Sequence, residues 1–215
     1  MTPPLSPREL YNKRTVIYEI GMGALRYFST IEQFIQATEF SLSTPQPAIL
    51  DLGCGAGTYV PWLQKKFPKA HITGFDYAKE MLALYHSRYP ATPLLYGNYN
   101  DPSSFQTFPD HKPTMIAPHS FDLVISICSL SEYGNFDDVF AWINNILKPG
   151  GKFFAIGIRN NWFGKMSGLY WNFRPRSQAH FVNKAETHFS EVKTLPIAWK
   201  LFPMNVLKYA ILCSK

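Results

Sequence analysis

Residues 49 to 59 read ILDLGCGAGTY: a short apolar run that ends at Asp51, followed by three glycines within five positions. Such a run is a buried strand that breaks into a tight glycine loop and turns into a helix. Backbone without side chains comes close to a ligand, and a following helix start near Thr58 points free N–H groups at it. The segment therefore constrains the chain to an α/β fold with a nucleotide-type binding site at the end of its first strand. A pyrophosphate-binding dinucleotide fingerprint spaces its glycines as G-x-G-x-x-G, whereas Gly53, Gly55 and Gly57 fall as G-x-G-x-G.

Further strands follow in order. HITGFDYAKEML (71 to 82) reads as a second strand ending in Asp76, which stands 19 residues past Gly57, near the distance at which such folds place a ribose-binding acid. PLLYGNYN (93 to 100) is a third strand, and FDLVISICSL (121 to 130) a fourth whose continuous apolar run suits burial on both faces. ILKPGGKFFAIGI (146 to 158) gives a helix end, a Pro-Gly-Gly turn and a fifth strand. HFSEVKTLPIAW (188 to 199) and NVLKYAILCSK (205 to 215) read as two more strands joined by a short turn containing Pro203, hence a terminal hairpin. A dinucleotide-binding dehydrogenase core does not need that ending.

The glycine run, Asp76 and the LKPGG turn together resemble the class I S-adenosylmethionine (SAM) methyltransferases. The resemblance implies a doubly wound, Rossmann-like sheet of seven mostly parallel strands with an antiparallel last strand, and SAM as cofactor, leaving S-adenosylhomocysteine as product. It implies that Asp76 takes the ribose hydroxyls and that backbone at Gly53, Gly55 and Gly57, with Cys54 in the same loop, surrounds the methionyl portion. Asn98 and the Tyr99 N–H are placed at the adenine amino group, Tyr77 and Met81 against the adenine ring, and the Ile127 backbone at the methionyl amine. Asp51 either steadies the loop or touches the ligand.

Residues 1–45 are read as a helical cap and residues 46–215 as the core of the same domain, with insertions at 101–120 and 159–184. In the cap, residues 7–41 carry apolar side chains near a 3.6-residue repeat that breaks at Gly21 and Gly23, which fits two helices. In the family resembled, such a segment brings an aromatic residue to the cofactor, here Tyr11 or Tyr18. The stretch from Asn100 to Ser120 holds four prolines and two histidines without periodicity and is expected as a loop; His111 and His119 lack a third ligand, so no metal is expected. Cys54, Cys128 and Cys213 stand far apart without a C-x-x-C pair, pointing to reduced thiols and a cytoplasmic setting.

Charge is unevenly distributed. Residues 1–147 hold ten Lys and Arg against thirteen Asp and Glu, and residues 148–215 hold eleven against two, so the net +6 is −3 plus +9. Within residues 159–180, Trp162, Met166, Leu169, Tyr170 and Phe173 recur at helical spacing among Arg159, Lys165, Arg174 and Arg176, with no acid. In open parallel sheets the loops at the carboxyl ends of the strands form the ligand crevice. An aromatic, basic segment there holds a small anionic or aromatic substrate, stacks a base or lies on an anionic membrane. Glu132, Tyr133 and His180 are weak candidates for a catalytic base, each with an ordinary surface or capping role as the alternative. Residues 126–133, SICSLSEY, lack the [DN]-P-P-[YFW] motif of adenine-N6 and glutamine methyltransferases, and Ser131 and Glu132 replace the histidine pair of the quinone- and sterol-type relatives. The resulting expectation is methyl transfer to oxygen or nitrogen of a small or medium organic acceptor, by a monomer or homodimer. A lipid-headgroup or RNA methyltransferase, or a catalytically silent SAM-binding protein, are the alternatives.

Overall fold

The computed structural model describes residues 27–130, 135–171 and 173–215. Alternation in the strands decides the layering. In β1 (Ala48–Leu52), Ile49 faces one layer of helices while Leu50 and Leu52 face the other. β1 pairs in parallel with β2 (His71–Asp76) and with β5 (Phe121–Ile127), all seven of whose residues are buried. Outward from β2 lie β3 (Leu94–Asn98), in parallel, and β4 (Asp101–Phe108), antiparallel. Outward from β5 lie β6 (Leu147–Ile158), then β8 (Lys208–Ser214) antiparallel between β6 and β7 (Glu191–Leu195). The order is β4-β3-β2-β1-β5-β6-β8-β7.

On one face α1 (Tyr27–Ala37) and α2 (Val60–Lys66) bring Ile31, Phe34, Ile35 and Leu63 onto Ile49, Leu123, Ile125 and Phe154. On the other face lie α4 (Phe136–Ile146) and α6 (Gln178–Ala185). In α4 the Asn135 side chain accepts from the Asp137 N–H, Asp137 and Asp138 sit at the positive end of the helix dipole, and Phe136, Val139, Phe140 and Ile143 form the buried stripe. α3 (Lys79–Arg88) closes a smaller cluster of Val60, Leu82, Tyr85 and Leu94 beside Cys54. Asp122, 7% exposed, pins the amino ends of three strands: its Oδ2 accepts from the Ala48 N–H at 2.8 Å and from Lys148 Nζ at 2.7 Å.

Three expectations need correction. The sheet has eight strands rather than seven, because residues 101–108 form β4 where a loop was expected. β4 is an edge strand whose only fully buried side chain is Phe105, so it shows none of the apolar alternation that marks a half-buried strand. Residues 109–120 do form turns and coil, apart from a bridge between Gln106 and Pro113. The strands β7 and β8 do pair antiparallel, but a 3₁₀ turn (Trp199–Leu201) and α7 (Met204–Leu207) fill the link expected as a short turn, because Leu201 and Met204 are buried against the α1 layer. The expected Pro-Gly-Gly turn is an irregularity within β6, where the pairing jumps from Phe121 with Leu147 to Leu123 with Lys152.

Phe105 packs edge-on against Phe75 at 4.9 Å and Trp142 at 5.7 Å. Phe105→Ala should therefore cost about 3–4 kcal/mol in urea unfolding; a cost under about 1 kcal/mol would show that β4 does not contribute to the core.

Candidate functional site

The loop after β1 is held by the end of β2. The Gly53 and Cys54 N–H groups donate to the Phe75 carbonyl at 2.8 and 3.0 Å, and the Gly55 N–H donates to Asp76 Oδ2 at 2.8 Å. Asp76 Oδ1 accepts from the Ala78 N–H at 2.8 Å. The side chain is 6% exposed, yet each carboxylate oxygen has the capacity to accept more than one hydrogen bond.

The glycines are required for two different reasons. At Gly53, φ is +75° and a Cβ would overlap the Ser129 side chain, whose hydroxyl is itself fixed by donating to the Leu52 carbonyl at 2.8 Å and by contact with Ser126 Oγ at 2.6 Å. At Gly55, φ is +53° and a Cβ would meet nothing within 4 Å, because this residue borders open space. Gly57 does not line that space; its Cα side packs on the Tyr85 ring.

The space is a cleft at the carboxyl end of β1, β2 and β5, open to solvent at its mouth. Gly53, Cys54, Gly55, Asp76, Tyr77, Met81, Tyr99 and Ile127, all singled out in the sequence, line it together. Asp51 lies beneath the loop rather than in the wall, 1% exposed. Asn98 is exposed and does not line the wall, which Tyr99 does; the Asn98 amide oxygen accepts from the Asn100 N–H at 3.0 Å and Asn100 Nδ2 at 3.2 Å. His180 is also not brought there. It sits exposed on α6 with its ring 5.6 Å from Phe136, and its backbone N–H caps onto Ser177. Tyr11, Tyr18, Glu132 and Tyr133 lie outside the described residues.

Sequence reasoning missed Phe28, Ala56, Thr58, Tyr59, Ala78, Cys128 and Ser129 in the wall. Most are immediate neighbours of residues that were identified, and Phe28 supplies an aromatic ring from the helical segment before the core. Cys128 has φ +61°, a left-handed conformation rare outside glycine, held by its N–H donating to the Ile156 carbonyl at 2.7 Å. It ends β5 abruptly and turns the chain across the cleft. No signal in a single sequence announces such a bend.

Electrostatics separates the two acids. Burial first, and the nearby Asp76 charge second, raise the Asp51 pKa from 3.8 to about 7, and neither Asp51 oxygen has a hydrogen-bond partner among the described residues. Burial, followed by the charges of Asp76 and Asp51, also pushes the Cys54 thiol well above its ordinary value, so Cys54 stays a neutral thiol and offers no thiolate nucleophile. Unfolded Asp51 ionises near 3.8 and folded Asp51 near 7. The folded state thus holds the extra proton between those values, and stability falls as pH climbs from about 4 to about 7, with the full penalty present above that. Asp51→Asn should remove this slope: relative to the parent chain it should gain on the order of a few kcal/mol more at pH 8 than at pH 4 in urea unfolding. Equal effects at both pH values would mean that Asp51 ionises normally.

Residues 50–155, the strands and loops that build the cleft, match the family described as "Methyltransferase domain". The chain is 32% identical over 111 residues to a trans-aconitate 2-methyltransferase of Acidovorax sp. (strain JS42), a match covering 51% of this chain and 38% of that protein, so well under two thirds of the relative's length is spanned. It is 22% identical over 186 residues to the demethylmenaquinone methyltransferase of Thermus thermophilus, covering 86% of this chain and 81% of that one. Among solved structures, a SAM-dependent methyltransferase of Thermotoga maritima, described as a possible histamine N-methyltransferase, shares the fold with a TM-score of 0.68 at 16% identity, over 96% of this chain and 99% of that one. Residues 50–155 are thus a methyltransferase domain with the Rossmann-like fold of the class I SAM-dependent methyltransferases, whose cofactor is S-adenosylmethionine.

Proposed function

We propose that this chain transfers the methyl group of SAM to an oxygen or nitrogen atom of a small or medium organic acceptor. The observation that carries the reading is the Asp76 carboxylate, fixed from two sides by the Gly55 and Ala78 N–H groups and lining the cleft beside the glycine loop. In this reading the Asp76 oxygens also accept from the ribose hydroxyls, Tyr77, Ala78 and Met81 cover the adenine, and the backbone from Gly53 to Gly55 and at Ile127 surrounds the methionyl portion. SAM supplies a sulfonium-activated methyl group; the protein positions the acceptor in line with it and keeps water out. Phe28 and Tyr59, both in the wall, are the aromatic surfaces available for that exclusion. Asp76 is the only carboxylate among the described residues in the wall, and both of its oxygens are engaged. In this reading the protein contributes orientation and desolvation at the acceptor.

Calorimetry with SAM and with S-adenosylhomocysteine tests this directly. Both should bind, and Asp76→Ala should weaken both at least about thirtyfold, the loss of two charge-assisted hydrogen bonds. Absence of binding in the parent chain would end the reading. A panel of carboxylates, phenols and amines, read by release of S-adenosylhomocysteine, then assigns the acceptor; binding without turnover on any acceptor class would favour a catalytically silent SAM-binding protein.

A further inference from the structure

α5 (Trp162–Trp171) is packed with its small residues inward. Gly164 and Gly168, one turn apart, press the helix onto the backbone at Arg159 and Phe173, and a Cβ at either would collide there. The bulky residues point the other way. Trp162, Met166 and Leu169 follow at i, i+4 and i+7 and are 67%, 49% and 79% exposed, with the Phe163 ring edge-on to Trp162 at 5.1 Å. A helix of a globular protein normally buries such a stripe.

A second exposed apolar segment stands at the same end of the sheet. β7 runs in the direction of β6, so its link to β8 leaves from the carboxyl end, and β8 begins opposite Ile158, where the lead into α5 starts. This link presents Trp199 at 84% and Phe202 at 68% exposure. Three hydrogen bonds join the two segments: the Arg159 N–H to the Leu207 carbonyl at 2.9 Å, Arg159 Nε to the Lys208 carbonyl at 2.7 Å, and Asn161 Nδ2 to the Val206 carbonyl at 2.8 Å. Exposed Lys165 and Lys200 lie beside Met166 and Trp199, and no acid occurs between residues 159 and 185.

We infer that α5 together with the Trp199–Phe202 turn docks the protein on the surface of an anionic phospholipid bilayer. Tryptophan and phenylalanine suit the headgroup boundary, leucine and methionine the acyl region beneath it, and lysine the lipid phosphates. The charge is complementary to such a surface, and Met166 and Leu169 protrude as aliphatic side chains suited to its acyl region. The docking rests on this face alone. Its consequence, that an amphiphilic acceptor reaches the cleft from the membrane lying at the same end of the sheet, also rests on the methyl-transfer reading.

The test is cosedimentation of the 215-residue chain with phosphatidylcholine vesicles, with and without phosphatidylglycerol. Binding should require phosphatidylglycerol, weaken with added salt and fall about tenfold in the double variant Met166→Glu, Leu169→Glu. Trp199→Ser, on the other segment, should lower it by a smaller factor. SAM affinity and melting temperature should stay unchanged in each. No phosphatidylglycerol-dependent binding, or unchanged binding in the variants, overturns the inference. So does a dimer that the double variant converts to monomer without any effect on lipid, which makes the face a contact between copies. A large drop in melting temperature with lipid binding intact does likewise, since the chain itself then covers the face. Failure of the parent chain to bind SAM is a separate outcome, which removes the methyl-transfer reading and leaves the docking result standing.

Discussion

Three consecutive amides, at Gly53, Cys54 and Gly55, are received by two consecutive residues at the end of the neighbouring strand, the Phe75 carbonyl and the Asp76 carboxylate. The rest of the site depends on this junction. β1 and β2 pair with Leu52 opposite Phe75, so both strands stop at the same level and the loop has only one place to go. The hydrogen bonds to the Asp76 carboxylate are of the charge-assisted kind, which contributes about 1.5–3 kcal/mol each. The junction also sets the state of its neighbours, since the Asp76 charge is among the causes that keep the Asp51 carboxyl and the Cys54 thiol protonated.

Much of that junction was legible in the sequence, because each part is local. A strand, a glycine loop and an acid at a fixed distance report their own geometry: Gly53 stands where backbone must turn left-handed against Ser129, and Asp76 where a strand ends. The buried strands β5 and β6 were equally plain from their continuous apolar runs. β8 and β7 were readable as strands, and their pairing followed, although the folded link between them did not.

Part of what remained hidden depends on partners far away in the chain, and part on local geometry that residue type does not announce. β4 has one buried side chain and becomes a strand only because β3 offers an edge and Phe75 with Trp142 a socket for Phe105. Asn98 has the residue type expected at an adenine, and its amide oxygen takes part in a local turn with Asn100. The left-handed Cys128 donates its N–H to the Ile156 carbonyl of β6, a contact that no local rule foretells. The aromatic spacing of α5 was visible; that its apolar stripe faces outward was not, since that depends on two glycines finding carbonyls to press against.

The position of β8 carries a consequence for how the molecule assembles. In chain order β7 precedes β8, but in the sheet β8 lies between β7 and β6. Strands β1 to β6 can each join a growing edge as they emerge, whereas β7 has no partner until the strand after it has zipped seven residues against β6, from Lys152 with Ser214 to Ile158 with Lys208. The sheet therefore cannot be completed by vectorial addition. Its edge at β6, apolar along most of its length, stays open through synthesis of some fifty intervening residues, which makes this interval the time at which a nascent chain is most exposed to pairing with the wrong partner.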